Sequence, residues 1–516
     1  MLAVLLVLAA ALIALEGARP WVPPQTARRI GAGVCLLGAL VACASLASLA
    51  GSRLGFTGVA AELDALSAWM VVALLAASGA GLLAGEGRSS LVGAALLTLL
   101  AGSAALFVLG LAGLAALSRP RRPAVPVWAL CSGLAIITLT VHAGPGFDSM
   151  RALPPEGVLA AFVLLLALVG LAALFAAVLR GQAPPWLVWL GTALVARITL
   201  DLCGPATPVW WGALVAALGL AAATVAAWLA CLRSESTAIL AAAAVSASGL
   251  ACTGLGIALA GRGADLPLLA SAGLEAALLL VLAQSGSVAL LGLCLHTADE
   301  RVRLAASCAA AASLTALPPF AGFAGVLLLL HALFAACRIG GAWMQIGCAC
   351  AVAAVGLAAG LMSVAAVRGL AFGLFQHTGA SAATDPEVKL GIAALGGLGL
   401  LLAISPGLAL LAAAPALAGL VAAKPTENLL FAPAIVAVSL GLVSAAVAWF
   451  AHSGQERRRV PAWNGGATAS ARLDAYAPQR LAVRLPRIEA RAPTLREWLG
   501  AAAVALAVAI IVLAAR

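Results

Sequence analysis

The chain has 516 residues, of which 64% are hydrophobic and 9% are charged, and its formal net charge at pH 7 is +10. This composition excludes a soluble globular protein, in which about a quarter of the residues carry charge. Apolar stretches of at least about 18 residues recur from end to end, and each could cross a bilayer. The sequence therefore predicts an all-α, polytopic membrane bundle of roughly 14 to 16 transmembrane helices, some of them broken.

The apolar stretches follow one another with short connections, so residues 1–452 form one predicted transmembrane bundle. A basic cytoplasmic segment is expected at 453–496 and a C-terminal transmembrane helix at 497–516. Residues 1–16 lack the basic start of a secretory signal and are predicted as the first membrane helix. The predicted spans are 1–16, 30–50, 66–84, 91–118, 124–142, 158–179, 184–202, 208–231, 237–261, 266–295, 303–336 as a broken pair, 341–366, 388–423 as one span or two, 429–451 and 497–515.

Arginines cluster in three loops between the predicted spans. Positively charged loops stay on the cytoplasmic side, which predicts a multi-pass protein of the cell inner (plasma) membrane with its N-terminus outside. Because the charge lies beside membrane spans, it does not indicate a nucleic-acid partner. The arginines concerned are Arg19, Arg28, Arg29, Arg119, Arg121, Arg122, Arg457, Arg458 and Arg459.

The stretch 91–118 is hard to reconcile with this orientation. The loops at 86–90 and 119–122 both fall on the inside, so an even number of crossings must separate them. Dividing the stretch in two leaves only roughly 21 Å per helix. Either two short helices turn at Gly102-Ser103, or one of the loops breaks the rule.

The eleven cysteines lie almost all inside apolar spans and show no CxxC spacing. Cys348 and Cys350 are two residues apart, which on a helix points them to different faces. Buried, unreactive thiols are the expectation. The sequence predicts no haem, iron–sulfur or zinc site and no other cofactor.

Asp64 precedes the third span in the position of a helix N-cap. Two other charged residues, Arg197 and Asp201, are candidate ion-path residues. Arg197 and Asp201 are four residues apart on one helical face, which predicts an ion pair. Arginine stays protonated in almost any surroundings, so Arg197 is expected to be a fixed charge. The alternative is that both side chains lie at a helix end near lipid headgroups.

Two further titratable residues lie within later spans. Glu275 is a turn or two inside its span, where a buried carboxyl is costly unless it is protonated or paired. His331 could sense a proton, and a packing histidine is the alternative. His296, close to Asp299, is expected in an ordinary loop.

A Pro-Pro pair interrupts the apolar run 304–336. Pro318 and Pro319 remove two backbone donors, while Gly322 and Gly325 allow the chain to bend and other backbones to approach. In a bilayer such a break requires neighbouring protein or a water-filled cavity to satisfy the freed carbonyls. This is typical of transporters, although a kinked helix without a transport role also fits.

The segment Leu-Pro-Pro-Phe-Ala-Gly-Phe at 317–323 resembles the broken-helix motif of the proton-translocating, antiporter-like membrane subunits of respiratory complex I, membrane-bound hydrogenases and Mrp antiporters. The segment 62–70 is similar to the start of a helix in those subunits. The resemblance continues in order from the third span to the last. It implies an antiporter-like fold with broken helices and a proton pathway.

The resemblance also implies that residues of this pathway have been replaced. Ala112 stands at a membrane glutamate and Thr237 at a lysine. A pumping lysine works because burial can lower its pKa toward neutrality. For another such lysine two placements remain open: Arg197 occupies its position, or the lysine was lost in a deletion and Arg197 matches a later Arg-x-Leu-Leu-Asp-Leu motif.

Later spans repeat the pattern. By the resemblance, Arg368 stands at the central lysine of another interrupted helix, and Gly369 is expected to provide the break with Gly373. The three positions of a His-x-x-x-His-x-x-x-Lys relay hold apolar or neutral residues, namely Leu280, Gln284 and Val288.

The segments 461–466 and 471–480 resemble the Trp-Asp-Cys-Gly … Pro-Arg-Met-Gln-Tyr-Thr signature of hydrogenase-4 component B and formate hydrogenlyase membrane subunits, with its cysteine lost. The resemblance implies a non-redox subunit of a hydrogenase-4 or NADH-quinone oxidoreductase-like (complex I-like) assembly. Its implied partners are other membrane and peripheral subunits and the lipid bilayer. The chain would be a scaffold of the proton-translocation module with most of its own pumping residues lost.

Two alternatives remain. An independent secondary transporter would use a titratable path of Glu275, His331 and Asp201. In a purely structural membrane protein, neutralising Arg368 or Arg197 would change assembly and no ion flux.

Overall fold

The computed structural model describes most of residues 1–421 and part of 435–447. The gaps within these ranges are 19, 48–51, 57–58, 86–87, 119–123, 204–206, 234, 298, 376–384, 437 and 444–445. The predicted segment at 453–496, the predicted helix at 497–516 and the tail resemblance lie outside the described residues.

The described part of the chain is a bundle of α-helices with one two-stranded antiparallel hairpin. The helices are α1 (Leu2–Gly17), α2 (Pro24–Ala47), α3 (Ala65–Leu83), α4 (Ser89–Leu99), α5 (Ala104–Leu117), α6 (Ala124–Ala143), α7 (Phe147–Ala152), α8 (Gly157–Leu179), α9 (Leu187–Ala196), α10 (Val209–Leu232), α11 (Ser236–Gly263), α12 (Pro267–Cys294), α13 (Glu300–Leu314), α14 (Ala321–Ala336), α15 (Ala342–Phe375), α16 (Pro386–Ile404) and α17 (Pro406–Val421). A π-helix, Arg197–Leu202, extends α9, a 3₁₀ turn, Cys337–Ile339, follows α14, and the strands are β1 (Ser52–Phe56) and β2 (Val59–Leu63).

Among the described residues, ten helices are long and apolar enough to cross a membrane, and four shorter apolar helices accompany them. Short connections make successive helices antiparallel neighbours. The predicted all-α membrane bundle is confirmed. The stretch 388–423 is two helices, α16 and α17, which part at Ser405 because Pro406 has no N–H to continue the helix.

The stretch 91–118 also forms two helices, α4 and α5, which turn at Gly102. The hairpin covers this turn: the Gly102 N–H donates to Ala60 O at 2.9 Å, and the Glu62 N–H donates to Leu100 O at 2.8 Å. A Cβ at Gly102 would lie 2.9 Å from the Cβ of Glu62, so glycine permits this close approach. Two short helices therefore bring the start of α4 and the end of α5 to the same end of the bundle.

A break separates α13 from α14 at Pro318 and Pro319. Side chains satisfy the polar groups at the break: Gln284 Nε2, from α12, donates to Ser313 O at 3.3 Å, and the Gly322 N–H donates to Ser313 Oγ at 3.1 Å. A Cβ at Gly322 would lie 1.8 Å from Ser313 O. The predicted broken pair over 303–336 is confirmed, and protein groups supply the partners that a break in a bilayer requires.

The interruption predicted at Gly369 is wrong for the described residues. Helix α15 continues without a break from Ala342 through Gly369 and Gly373 to Phe375. Glycine keeps its backbone N–H, unlike proline, so it lowers helix stability by only about 1 kcal/mol and need not end the helix.

Helices α10 and α11 pack with their backbones in close contact. A Cβ at Gly219 would lie 2.6 Å from Gly249 O, and a Cβ at Gly249 would lie 2.5 Å from Gly219 O. Small residues at such a seam let membrane helices gain van der Waals contact where no hydrophobic effect drives them together.

Because the helices alternate in direction, the bundle has two ends. At the end that we call the basic end, α2, α4 and α11 begin and α3, α5, α8 and α10 end, close to Arg28, Arg88, Arg180 and Arg233. The hairpin, the α4–α5 turn, α7 and the π-helix lie at the opposite end.

Candidate functional site

Seven charged side chains from four segments meet at the end opposite the basic end. They come from the hairpin and the residue after it, from α7 and from the π-helix. We call this group the charge cluster; it consists of Arg53, Glu62, Asp64, Asp148, Arg151, Arg197 and Asp201.

Arg197 lies at the centre of the charge cluster and is 5% exposed. Its guanidinium donates to the carboxylate of Asp64, to Asp201 Oδ2 at 2.6 Å, and to the hydroxyl of Ser67. It also lies 5.9 Å from the ring centroid of Phe147. Asp64 caps α3 by accepting a hydrogen bond from the Ser67 N–H at 2.7 Å, so helix capping fixes one partner of the arginine.

Arg151 bridges the carboxylates of two other segments and one on its own helix, α7. It donates to both oxygens of Asp201, at 2.8 and 2.9 Å, in a bidentate pair. The same guanidinium lies 3.2 Å from Glu62 Oε1 and 3.1 Å from Asp148 Oδ1. Arg53 donates to Glu62 Oε1 at 2.9 Å. The cluster thereby links segments that are distant in sequence.

Arg197 and Asp201 lie on the π-helix, and a residue on α11, Arg262, binds the backbone of that helix. Arg262 donates to Leu200 O at 2.6 Å and to Thr199 O at 3.2 Å. The wider turn of a π-helix is often found at functional sites. Here its carbonyl groups accept hydrogen bonds from a half-buried arginine.

The electrostatics of the charge cluster keep Asp64 and Arg151 ionised. Burial raises the pKa of Asp64, but the charge and hydrogen bonds of Arg197 and the Ser67 N–H outweigh it and leave that pKa below its ordinary value. Burial lowers the pKa of Arg151. The hydrogen bonds and charge of Asp201 and the charge of Glu62 outweigh this effect and hold that pKa well above its ordinary value. Neither group changes protonation near neutral pH, so the cluster is a set of fixed ion pairs.

Two of the predicted candidates meet in this site. The ion pair of Arg197 and Asp201 is present, and the burial of Arg197 argues against the headgroup alternative. The other three candidates lie on different helices: Glu275 is fully buried in α12, His331 is exposed on α14, and Arg368 lies in α15.

The sequence interpretation missed five members of the charge cluster as site residues, namely Arg53, Glu62, Asp64, Asp148 and Arg151. A signal was available for two of them. Asp148 and Arg151 are three residues apart, a spacing at which opposite charges pair on a helix.

Between the charge cluster and the basic end lies α9, all ten residues of which are buried. The hydroxyl group of Thr192 on this helix forms a hydrogen bond of 2.6 Å with the buried hydroxyl group of Ser248 on α11. In α12, Leu280, Gln284 and Val288 are also buried. The chain has two lysines, Lys389 and Lys424, so no span before α16 contains one.

A cavity of about 1050 Å³ lies at the other end of α9, where α5, α8 and α10 end and α4 and α11 begin. Its lining includes Arg88, Arg180, Arg233 and Glu235, together with Thr237, which by the resemblance stands at a lysine. Among the described residues, no group of three or more histidine, cysteine or acidic side chains could hold a metal ion.

Solved structures of membrane complexes share this architecture. A chain of the membrane-bound sulfane sulfur reductase, an archaeal respiratory membrane complex, matches with a TM-score of 0.68 at 16% identity, over 92% of this chain and 89% of that chain. A chain of the Mrp complex from Dietzia sp. DQ12-45-1b matches with a TM-score of 0.61 at 18% identity over 100% of this chain, which spans 63% of that chain.

A chain of the respiratory complex I from Thermus thermophilus matches with a TM-score of 0.61 at 19% identity, over 83% of this chain and 100% of that chain. No protein-family model and no curated protein matches the sequence. At these identities the structural likeness establishes the fold. The chain has the antiporter-like membrane fold seen in the Mrp complex, in complex I and in the sulfane sulfur reductase.

Proposed function

We propose that the chain is an antiporter-like membrane subunit of a multisubunit complex of the hydrogenase-4 or complex I type, in which it is a scaffold that does not itself pump protons. The proposal rests on the separation of two polar regions of the chain, the charge cluster and the cavity at the basic end. Helix α9, fully buried and apolar but for one hydroxyl pair, divides the fixed ion pairs of the charge cluster from the cavity at the basic end.

A proton path through a membrane needs groups that bind and release protons near neutral pH. Arg197 and Arg368 keep a charge but remain protonated. The buried side chains of Leu280, Gln284 and Val288 cannot carry a proton as a base. These replacements favour a scaffold over a pump.

The shared fold supports a place among partner subunits, since the similar chains belong to multisubunit membrane complexes. The proposed partners are other membrane and peripheral subunits that carry the redox chemistry. The arginines at the basic end support a cytoplasmic location for that end, with the N-terminus outside and the chain in the cell inner membrane.

An independent transporter that moves protons through Glu275, His331 and Asp201 is less well supported. Arg151 donates to both oxygens of Asp201, and Arg197 donates to one of them. Guanidinium donors therefore occupy both oxygens of Asp201, which makes it a poor proton carrier.

Affinity purification of the tagged full chain in mild detergent tests the assembly. We expect quinone-oxidoreductase or hydrogenase subunits to copurify, whereas a folded chain recovered alone would contradict the proposal. Within the purified complex, reconstituted in liposomes, Arg368→Gln should leave the number of protons moved per turnover unchanged. A lower number in a fully assembled complex would show that this chain takes part in pumping.

A further inference from the structure

We propose that the cavity at the basic end binds the headgroup of an anionic phospholipid. This inference does not depend on the scaffold proposal. The cavity's volume of about 1050 Å³ is at the upper end of the range of ligand pockets, roughly 300 to 1000 Å³, and leaves room for a phosphate, its substituent and the glycerol backbone of a lipid.

Three guanidinium groups give the cavity an excess of positive charge. Arg88, Arg180 and Arg233 line it, and Glu235 is the one carboxylate among its described lining residues. Within the described part of the chain, none of these arginines forms an ion pair, in contrast to Arg197 and the other arginines of the charge cluster. Guanidinium groups without carboxylate partners bind phosphate oxygens in charge-assisted hydrogen bonds.

The rest of the lining favours a lipid over a free phosphate ion. Apolar side chains from five helices and the start of α9 contribute to the wall, in positions where acyl chains could pack; they are Leu91, Leu117, Val125, Leu179, Leu187 and Leu232. Basic pockets between transmembrane helices are a recurrent site of lipid headgroups. Gln182 Oε1 is buried and accepts no hydrogen bond from a described residue, so it could accept one from a headgroup hydroxyl. Phosphatidylglycerol offers both the phosphate and the hydroxyl.

Native mass spectrometry of the full-length chain, titrated with phosphatidylglycerol and with phosphatidylcholine, tests this assignment. We expect one phosphatidylglycerol to bind at least about fivefold more tightly than phosphatidylcholine. Arg180→Gln and Arg233→Gln should each weaken phosphatidylglycerol binding by about fivefold, the usual effect of one basic residue on an anionic lipid. Arg301→Gln, an exposed arginine at the start of α13 and also at the basic end, is the matched control and should change nothing.

Glu235→Gln provides a test that misfolding cannot imitate, because removing the carboxylate should strengthen phosphatidylglycerol binding. Glu235 makes no side-chain hydrogen bond as the cap of α11, so its loss should not disturb the helix. Equal binding of the two lipids, or binding unchanged in Arg233→Gln, would overturn the proposal. Binding of inorganic phosphate with no preference among lipids would assign the cavity to a free anion instead.

Discussion

At the scale of single residues, Arg197 shows how surroundings decide what a buried charge can do. A lysine in such a place can lose its proton when burial outweighs its partners. Arg197 remains charged, and two carboxylates and a hydroxyl occupy its guanidinium. Near the end of a membrane helix, Arg197 therefore stabilises the contact between α3 and the π-helix that extends α9.

Arg197→Gln should lower the free energy of unfolding by about 3 kcal/mol, because it leaves the partly buried carboxylates of Asp64 and Asp201 with fewer partners. Thermal unfolding of the purified chain in detergent measures this as a lower midpoint. Arg53→Gln is the control within the same cluster. The Arg53 side chain is 57% exposed, and exposed ion pairs contribute about 0 to 1 kcal/mol. Equal destabilisation by the two variants would contradict the central role of Arg197.

The pKa of Asp64 makes a further prediction, on pH dependence. Its folded-state pKa lies below the ordinary 3.8, so its ionised form stabilises the fold at neutral pH. This contribution is complete well above pH 3.8 and is lost as the pH falls through the folded-state value. The difference in unfolding midpoint between the natural chain and Asp64→Asn should therefore be constant from pH 7 to about pH 5 and shrink below about pH 4. A difference that grows in acid would refute this sign.

At the scale of elements, the glycines between α10 and α11 set the distance between these two helices. Gly219→Leu should separate the helices or prevent their packing, because even a Cβ there would lie 2.6 Å from Gly249 O. Overpacking typically costs about 1 to 3 kcal/mol. Gly356→Leu is the control, since nothing lies within 4 Å of a Cβ at that position of α15. We expect a lower unfolding midpoint and poor expression for Gly219→Leu alone.

The elements also show what a local signal can and cannot predict. The proline pair predicted the break between α13 and α14 because two successive prolines remove two backbone N–H groups and force the preceding residue out of helical geometry. Gly369 was expected to break α15 and does not, because glycine permits a helix as readily as a bend. Whether the helix bends at Gly369 depends on the residues packed around it, and these are distant in the sequence.

The charge cluster also shows what the sequence can and cannot predict. The pair of Arg197 and Asp201 could be read from a spacing of four residues. Arg151 and Glu62 are 89 positions apart in the chain, and only the packed bundle brings them together. The fold class, the broken pair and one ion pair thus followed from sequence, whereas the rest of the candidate site required three-dimensional neighbours.

At the scale of the whole molecule, the orientation in the membrane can be measured. Trp21 is 85% exposed in the loop between α1 and α2 at the basic end, and Leu153 is 52% exposed after α7 at the other end. In a chain freed of its eleven cysteines, all of them unbridged, we expect Trp21→Cys to react with an impermeant thiol reagent only from the cytoplasmic side. Leu153→Cys should react only from the outside. The reverse pattern would invert the proposed topology.

The contact between Gln284 and the broken helix has an evolutionary consequence. Gln284 stands, by the resemblance, at the middle position of a proton relay, yet its amide donates to Ser313 O, beside the break. A histidine at this position would add a titratable group, but one of its ring N–H groups would have to replace the amide as the donor to Ser313 O. The structural use of this position therefore restricts which residues could form a relay here.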